Sequence, residues 1–292
     1  MSPSEPAGAP FLPPPDLTAQ VAAALREDVG GGDLTAALVP SGQRVTGRII
    51  TREAAILCGS PWVQACFAQL DPAIRLTWHA HDGAALEPGA LVCTVEGPAR
   101  AVLTGERTAL NFLQLLSATA TAASRFVAAV AGTGCIVLDT RKTLPGLRSA
   151  QKYAVRCGGA ANHRMGLYDM VLIKENHILA AGSIGKAVAA ARSLAAGVRI
   201  EVEVESLAEL EQAFEAAPDI VMLDDFSLED MASAVARNRA RGRPVQLEAS
   251  GSVSLETVRA IAATGVDFVS VGGLTKHVRA VDLSMRLDFD AR

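Results

Sequence analysis

After Gly134 the chain alternates short apolar runs with longer amphipathic segments, and this rhythm restricts the fold more than any other feature of the sequence. Each apolar run has the length of a buried strand, and each intervening segment is long enough for a helix. Strands that are joined in this way form a parallel sheet with helices packed on its outside. The predicted strands are Cys135–Leu138, Met170–Ile173, Ile200–Val204, Ile220–Leu223, Val245–Glu248 and Phe268–Val271.

Serine residues stand where the helices between these strands are expected to begin, at Ser183, Ser206, Ser227 and Ser254. A serine hydroxyl at a helix N-cap accepts a hydrogen bond from a backbone N–H of the first turn. Ser206 with Glu209 fits a capping box. Acidic residues follow Ser227 and Ser254 closely, where they suit the positive end of the helix dipole.

Polar residues follow each predicted strand, and this favours a β/α barrel over an open nucleotide-binding sheet. Barrel enzymes build their sites at the carboxyl ends of the strands, and no GxGxxG motif follows the first strand. Six strand–helix units are clear, so the barrel is expected to be incomplete. The strand-end residues are Asp139–Lys142, Lys174–Glu175, Glu203 with Glu205, Asp224–Asp225, Ser250–Gly251 and Gly272–Gly273.

The first half of the chain has a mixed pattern without this regular alternation. Residues 1–15 hold six prolines and no Lys or Arg, so we expect a disordered lead-in rather than a signal peptide. The predicted elements that follow are helices over Leu17–Glu27, Pro61–Leu70 and Thr104–Ala131 and strands such as Val45–Thr51 and Leu91–Val95.

The overall charge and the cysteine content argue against several classes of protein. A general nucleic-acid binder is normally basic, whereas this chain has a net charge of -4. Its five cysteines form no CxxC pair, which disfavours a disulfide framework or a zinc site and favours a reducing cytoplasm. No uninterrupted apolar stretch reaches the length needed to span a membrane. We therefore expect neither a nucleic-acid nor a membrane partner.

The segment from residue 140 to residue 174 is strongly basic. Its seven positive residues are accompanied by one acid, Asp169, which indicates a focused anion site in an otherwise acidic chain. Arg141, Lys142 and Lys174 fall at predicted strand ends, where the mouth of a barrel would lie. Lys152 and Arg156 are instead expected on a solvated helix face.

Two more residues of this segment, His163 and Arg164, follow a glycine turn and form a candidate donor pair. A guanidinium group binds a carboxylate or a phosphate through two parallel hydrogen bonds, whereas an ammonium group acts as a point charge. The presence of several groups of both kinds predicts a ligand with many anionic groups.

An acidic pair, Glu203 and Asp224, ends the third and fourth predicted strands. These carboxylates could accept hydrogen bonds from ribose hydroxyls or hold Mg²⁺, which favours one or two carboxylates together with substrate phosphates. Because side chains alternate along a strand, Glu201, Glu203 and Glu205 share one face. Periodicity alone does not decide which of the three glutamates enters the site.

Glycine-containing loops end the last two predicted strands, at Ser250-Gly251-Ser252 and Val271-Gly272-Gly273. Glycine lets the backbone approach a phosphate closely, so that N–H groups can bind it. Barrel enzymes commonly place a phosphate site at these late strands. The chain shows no Ser-His-Asp or Cys-His nucleophile pattern and no HExxH or Walker motif, so we expect a site that acts by binding and electrostatics.

Several of these motifs, in this order, resemble the quinolinate phosphoribosyltransferase family. The most specific is DTRKTLPGLR over Asp139–Arg148, followed by CGGAANHR over Cys157–Arg164 and IKENH over Ile173–His177. The resemblance extends from about Glu27 to the C-terminus. Its weaker parts are Glu27–Gly30, Gly32–Thr35, Gly105–Thr108, Glu201–Glu203, Leu223–Phe226, Glu248–Gly251 and Ser270–Gly273.

The resemblance implies an α/β fold with an N-terminal α/β sandwich domain and an incomplete, seven-stranded β/α barrel. The sandwich domain with its linking helix would cover residues 16–131, and the catalytic barrel residues 132–278. Residues 279–292 would return to the first domain. Homodimers, alone or assembled into a hexamer, would share Arg107 across their interface.

The resemblance also implies a reaction: phosphoribosyl transfer from phosphoribosyl pyrophosphate to quinolinate, with decarboxylation, in NAD biosynthesis. Lys142, Glu203 and Asp224 would be catalytic, and Mg²⁺ would be held by Glu203 and Asp224 together with the substrate. Quinolinate would be bound by Arg107, Arg141, His163, Arg164 and Lys174. Phosphoribosyl pyrophosphate would be bound by Lys142, Glu203, Asp224, Ser250, Gly251, Gly272 and Gly273. The predicted substrate-binding residues also include Thr140, Ser252 and Val271.

Three positions depart from the family pattern. Ala160 stands in place of a third glycine, Ser252 in place of a common Asn, and Gly273 in place of a common Ala. These changes affect turns and phosphate loops, so they bear on affinity more than on reaction type. The alternatives are a related phosphoribosyltransferase that acts on another anionic acceptor and a barrel aldolase that forms a Schiff base at Lys174.

Overall fold

The computed structural model of the chain describes residues 11–289. In chain order the helices are α1 (Leu17–Val29), α2 (Ser60–Leu70), α3 (Ala99–Val130), α4 (Arg148–Cys157), α5 (Glu175–Ala181), α6 (Ile184–Leu194), α7 (Leu207–Ala216), α8 (Leu228–Ala240), α9 (Val258–Ala263) and α10 (Gly273–Lys276). The strands are β1 (Arg44–Thr51), β2 (Ala55–Ile56), β3 (Arg75–Trp78), β4 (Ala85–Leu86), β5 (Leu91–Pro98), β6 (Ile136–Leu138), β7 (Val171–Ile173), β8 (Ile200–Val204), β9 (Ile220–Asp224), β10 (Gln246–Ser250), β11 (Phe268–Ser270) and β12 (Leu283–Phe289).

The described residues divide into two units, and the first contains an antiparallel sheet in the order β12-β1-β5-β3. The C-terminal strand β12 belongs to this sheet and pairs with β1, so that Leu283 lies opposite Thr51. Trp62 and Phe67 on α2 and the leucines of α3 are buried in the core of this unit. Burial of these large apolar side chains is what stabilises the unit.

The long helix α3 has the length and composition of a helix that could cross a membrane. Polar residues interrupt the apolar ones along this helix, so the sequence contains no uninterrupted apolar stretch of that length. Leu110, Leu113 and Leu116 of α3 are fully or almost fully buried in the protein core. The apolar face of α3 is therefore accounted for by core packing.

The second unit contains a six-stranded parallel sheet in the order β6-β11-β10-β9-β8-β7. All six predicted strands are present, and Ile200–Val204 has the predicted bounds. Within residues 11–289 this sheet has six strands rather than the seven that the resemblance implied, and β6 makes one further bridge, between Leu138 and Ala161. Asn162 and the backbone N–H of His163 donate to the Asp139 carboxylate instead, so the ladder does not continue.

Three of the four predicted N-caps are confirmed, since the hydroxyls of Ser183, Ser206 and Ser227 each accept a first-turn backbone hydrogen bond. In the predicted capping box, the Glu209 carboxylate accepts a hydrogen bond from the backbone N–H of Glu205. This donor lies one residue before the N-cap residue Ser206, whose N–H a capping box would use. The prediction for Ser254 is wrong. Helix α9 begins at Val258, and the Ser254 carbonyl accepts two backbone hydrogen bonds in the turn before it.

The division between the units differs from the implied boundaries. Within the described residues, the first stretch of the first unit ends at Ser124, inside α3, and the unit also takes up residues 144–159 and 277–289. The motif segment that carries α4 therefore belongs to the first unit rather than to the barrel. The expected solvated face at Lys152 and Arg156 is wrong, because Lys152 is 0% exposed and Arg156 is half-buried.

The expected lead-in is described only in part. Residues 1–10 lie outside the described residues. Of the remaining lead-in, Phe11 packs edge-on against the ring of Tyr153, with 6.2 Å between the ring centroids. The expectation of disorder is therefore wrong for the end of this segment, where an aromatic contact holds the chain.

Candidate active site

The candidate site lies at the carboxyl ends of the parallel strands in the second unit. Strand register brings Ser250 beside Asp224, and Ser270 beside Leu138. The loops that carry the predicted basic, acidic and glycine residues therefore leave the sheet at the same edge, as barrel geometry requires. The predicted residues in this unit are Thr140, Arg141, Lys142, His163, Arg164, Lys174, Glu203, Asp224, Ser250, Gly251, Ser252, Val271, Gly272 and Gly273.

Lys174 and Glu203 form an ion pair in which the Lys174 ammonium donates to the Glu203 carboxylate. Glu203 is 7% exposed, whereas the Lys174 side chain is about half exposed. The predicted quinolinate-binding cation and the predicted ribose-binding anion thus neutralise each other in the ligand-free protein. A ligand carboxylate that takes the ammonium group would release the Glu203 carboxylate for another partner.

Arg141 and Arg164 form the strongly basic side of the site. Burial lowers the pKa of Arg164, and the positive charge of Arg141 lowers it further. The two guanidinium groups are therefore close enough for their charges to repel each other. Within residues 11–289, the Nε of Arg141 is buried and has no hydrogen-bond partner. A buried donor of this kind is costly unless a ligand satisfies it. The pair is therefore suited to an anionic group.

A buried cluster of His163, Glu201 and Glu248 lies inside the barrel. The His163 Nε2 is 2.9 Å from the Glu201 carboxylate and 3.6 Å from that of Glu248. Burial raises the pKa of Glu201 to about 7, and burial together with the Glu201 charge raises that of Glu248 to about 8. Within residues 11–289, neither carboxyl group has a hydrogen-bond partner, so the burial of their oxygens is costly.

The structure distinguishes the three glutamates in and after β8. Glu201 is fully buried against His163, Glu203 meets Lys174, and Glu205 is exposed beyond the end of the strand. Glu203 is therefore the residue of the three that lies at the mouth. Glu248 was not recognised as a cluster member from the sequence, although a charged residue between Leu247 and Ala249 in a buried strand was a usable signal.

The first glycine loop has a backbone that requires glycine. Gly251 has φ +98°, and a Cβ atom there would lie 2.0 Å from Oδ1 of Asp225. Asp225 and Ser252 also have positive φ angles, 52° and 43°. The Asp225 backbone N–H donates to the carbonyl of Ser250. The ends of β9 and β10 are therefore locked together in a tight loop.

The second glycine loop lies against the loop after β6. A Cβ atom at Gly272 would be 3.0 Å from Cδ of Lys142 and 3.6 Å from Oγ1 of Thr140. Thr140 also accepts a hydrogen bond from the Lys142 backbone N–H. Val271 is fully buried, and its backbone N–H donates to the Leu138 carbonyl.

Arg107 is the one predicted site residue in the first unit. It lies on α3, is exposed and is close enough to Glu106 to lower the pKa of that carboxyl, which burial raises. Its role at the site stays a prediction.

This fold and site define an enzyme of the α/β-barrel class that binds anionic substrates at the strand ends. The quinolinate phosphoribosyl transferase N-terminal domain matches residues 33–117, and the C-terminal domain of the same family matches residues 119–286. The chain therefore belongs to the quinolinate phosphoribosyl transferase family.

Individual relatives agree with this assignment. The nicotinate-nucleotide pyrophosphorylase [carboxylating] of Mycobacterium leprae is 43% identical over 271 residues, 90% of this chain and 94% of the relative. The Homo sapiens protein of the same name is 40% identical over 280 residues, 95% of this chain and 93% of its own. The structure of the Francisella tularensis nicotinate-nucleotide pyrophosphorylase superposes with a TM-score of 0.91 at 48% identity, covering 95% of this chain and 98% of that one. The expected fold class is confirmed.

Proposed function

We propose that the chain transfers a phosphoribosyl group from phosphoribosyl pyrophosphate to quinolinate, releasing pyrophosphate and carbon dioxide and giving nicotinate mononucleotide for NAD biosynthesis. Membership of the family over most of the chain supports this reaction. The observation within the site that carries the proposal is the Arg141–Arg164 pair, in which the Nε of Arg141 is buried without a hydrogen-bond partner. This basic pair lies at the same end of the parallel sheet as the acidic residues Glu203 and Asp224. Membership of this family argues against the alternative of a barrel aldolase that forms a Schiff base at Lys174.

Quinolinate carries two carboxylates, and the basic side of the site offers groups for both. The Arg141 and Arg164 guanidinium groups are suited to hold one carboxylate through paired hydrogen bonds. Lys174 is suited to take the other, in exchange for its ion pair with Glu203. Before substrate binds, the Lys174–Glu203 ion pair keeps both side chains extended into the mouth of the barrel.

The sugar phosphate is proposed to bind on the other side of the mouth. The backbone around Gly251 and Gly272 approaches closely enough for its N–H groups to bind phosphate, with Lys142 and Thr140 packed against Gly272. Ser250, Ser252 and Gly273 lie in the same two loops. Glu203, released from Lys174, and Asp224 accept from the ribose hydroxyls and fix the anomeric carbon towards the pyridine nitrogen.

In the transfer step the pyridine nitrogen forms a bond to the anomeric carbon as the bond to pyrophosphate breaks. Lys142 is proposed to stabilise the negative charge on the leaving group. Transfer leaves the ring nitrogen positively charged, so the electron pair of the adjacent C–carboxylate bond can remain on the ring carbon as carbon dioxide departs. That carbon then takes a proton from water to give the mononucleotide. This step requires positioning and no side-chain nucleophile, in agreement with the absence of nucleophile motifs from the sequence.

The donor set suits Mg²⁺, which the family reaction leads us to propose as cofactor. Glu203 and Asp224 supply oxygen ligands from neighbouring strands. In the described part of the chain, neither belongs to a group of three potential ligands, so the protein alone offers no complete cage. One or two carboxylates with substrate oxygens is the arrangement Mg²⁺ prefers. When bound, the ion would neutralise phosphate charge.

Assembly and location are further proposals. A homodimer in which Arg107 reaches the neighbouring subunit's site would give this exposed arginine on α3 a substrate-binding role. All five cysteines are free thiols, which supports a reducing cytoplasm.

A turnover assay tests the proposal. The protein is incubated with quinolinate labelled in the carboxylate that leaves, phosphoribosyl pyrophosphate and Mg²⁺. Labelled carbon dioxide and the mononucleotide are then measured, and we expect them in equal amounts. Lys142→Ala should be nearly inactive, whereas Lys186→Ala, an exposed lysine on α6, should match the wild type. Turnover of nicotinate without carbon dioxide would favour the other-acceptor alternative. Full turnover in excess EDTA would reject the metal.

A further inference from the structure

Lys142, the proposed cation for the leaving group, lies outside the strand that precedes it. Strand β6 ends at Leu138, and Lys142 is exposed in the loop that follows. A lysine side chain is flexible and carries its charge at a single point. The place of the ammonium group therefore depends on how the rest of the residue is held.

Neighbouring residues hold Lys142 both at its backbone and along its side chain. Its backbone N–H donates to Oγ1 of Thr140 at 3.1 Å, and its carbonyl accepts a hydrogen bond from the Thr275 hydroxyl at 2.8 Å. The side chain passes over Gly272, where a Cβ atom would lie 3.0 Å from Cδ and 3.8 Å from Nζ of Lys142. The absence of a side chain at Gly272 therefore leaves room for the stem of the lysine.

The sheet brings Thr275 to this position. Strand β11 pairs in parallel with β6, and the N–H of Val271 donates to the Leu138 carbonyl just beyond the ladder. The chain then enters α10, in which Thr275 is fully buried. The segment after β11 thus contacts Lys142 twice, through the open space at Gly272 and through the Thr275 hydroxyl.

The direction of this hydrogen bond distinguishes Thr275 from a threonine that serves only its own helix. A hydroxyl has one hydrogen to donate. In α3, the buried Thr119 donates its hydrogen to the Leu115 carbonyl, four residues earlier in the same helix. Thr275 donates instead to a residue 133 positions away, in the loop that carries the proposed catalytic lysine.

We propose that Thr275 is a positioning residue for phosphoribosyl transfer: its hydroxyl fixes the Lys142 carbonyl and thereby directs the ammonium group towards the pyrophosphate leaving group. This inference rests on the proposed function. Because Thr275 is fully buried, it acts through Lys142 and not on the substrate itself.

Two substitutions of Thr275 separate the hydrogen bond from the packing. Thr275→Val keeps the branched shape and replaces the hydroxyl by a methyl group, whereas Thr275→Ser keeps the hydroxyl. In Thr275→Val we expect the dissociation constant for phosphoribosyl pyrophosphate with Mg²⁺, measured by calorimetry, to rise about three- to tenfold, as the loss of one net hydrogen bond would give. We expect kcat to fall about tenfold or more, because the cation is no longer aligned with the leaving group.

The dissociation constant for quinolinate should change little in Thr275→Val, because its proposed ligands follow other strands. Thr275→Ser should restore most of the affinity for phosphoribosyl pyrophosphate and most of kcat. In a Lys142→Ala background, Thr275→Val should add little further loss of affinity for phosphoribosyl pyrophosphate, because the group that Thr275 positions is already gone.

The matched control is Thr119→Val, which removes another fully buried hydroxyl that donates to a carbonyl. Melting temperatures are measured for every variant. Thr119→Val should keep the wild-type kcat and both affinities, even where its melting temperature falls.

The inference is overturned if Thr275→Val keeps the wild-type kcat and affinity for phosphoribosyl pyrophosphate, or if Thr275→Ser loses as much as Thr275→Val. It is also overturned if quinolinate affinity falls as far as that for phosphoribosyl pyrophosphate, or if the losses of Thr275→Val and Lys142→Ala add in full. A wild-type protein that binds phosphoribosyl pyrophosphate but does not turn over quinolinate would defeat the proposed function. The affinities of the variants for phosphoribosyl pyrophosphate would then still decide the inference.

Discussion

Replacement of Gly251 by alanine is the smallest change that should have a large effect at the site. The φ angle of +98° is one that L residues rarely adopt, and the new Cβ would lie 2.0 Å from Oδ1 and 2.9 Å from the backbone N of Asp225. The Asp225 carboxylate could rotate away. The backbone N could not, because its N–H is bonded to the Ser250 carbonyl at the joined ends of β9 and β10.

Two costs add in this variant. A left-handed backbone conformation costs an L residue about 1–2 kcal/mol, and forcing an extra carbon into a packed site costs about 1–3 kcal/mol. Gly251→Ala should therefore lower the free energy of unfolding by roughly 2–5 kcal/mol. Adding Asp225→Gly should recover part of this, because it removes the carboxylate contact and leaves the backbone contact and the φ strain.

Urea unfolding measures the stabilities, and calorimetry measures the affinities. The matched control is Gly185→Ala in α6, where no heavy atom lies within 4 Å of the added carbon. It should be stabilising by about 0.5–1 kcal/mol, since alanine favours a helix over glycine. Any folded Gly251→Ala protein should bind phosphoribosyl pyrophosphate more weakly while quinolinate binding changes less. The steric reasoning is refuted if the stability of Gly251→Ala equals that of the wild type.

Two further predictions concern assembly and pH. Co-expression of Arg107→Ala with Lys142→Ala should restore roughly a quarter of wild-type activity. The reason is that random pairing makes half of the dimers mixed, and each mixed dimer has one intact site if Arg107 serves the partner subunit. Well-folded mixed dimers without activity would show that Arg107 acts in its own chain. The free energy of unfolding should fall as pH rises from about 4.5 to about 8, because the folded protein retains the Glu248 proton that the unfolded chain has lost, and Glu248→Gln should reduce that fall. Unfolding midpoints in urea at several pH values measure the slope, and equal slopes in both proteins would contradict this account.

The sequence was sufficient for features that depend on local pattern. The apolar run Ile200–Val204 is a strand because it alternates with helical segments, and Lys142 or Asp224 can be placed at a strand end by counting. The rule that parallel strands gather their following residues at one edge then predicted a common site. Ser254 shows the limit of local reasoning, because a serine followed by acids also fits a turn before a helix that begins later.

The sequence by itself determined which residue types stand at the mouth of the barrel, since strand ends and glycine loops are set by neighbours along the chain. Only the tertiary structure decided their partners. Glu201 and Glu203 share a face, yet one meets His163 and the other Lys174. Glu201 and Glu248 are carried by strands on either side of β9. The physical reason is that side-chain pairing depends on strand order and register, which arise when distant segments pack together and which no local periodicity encodes.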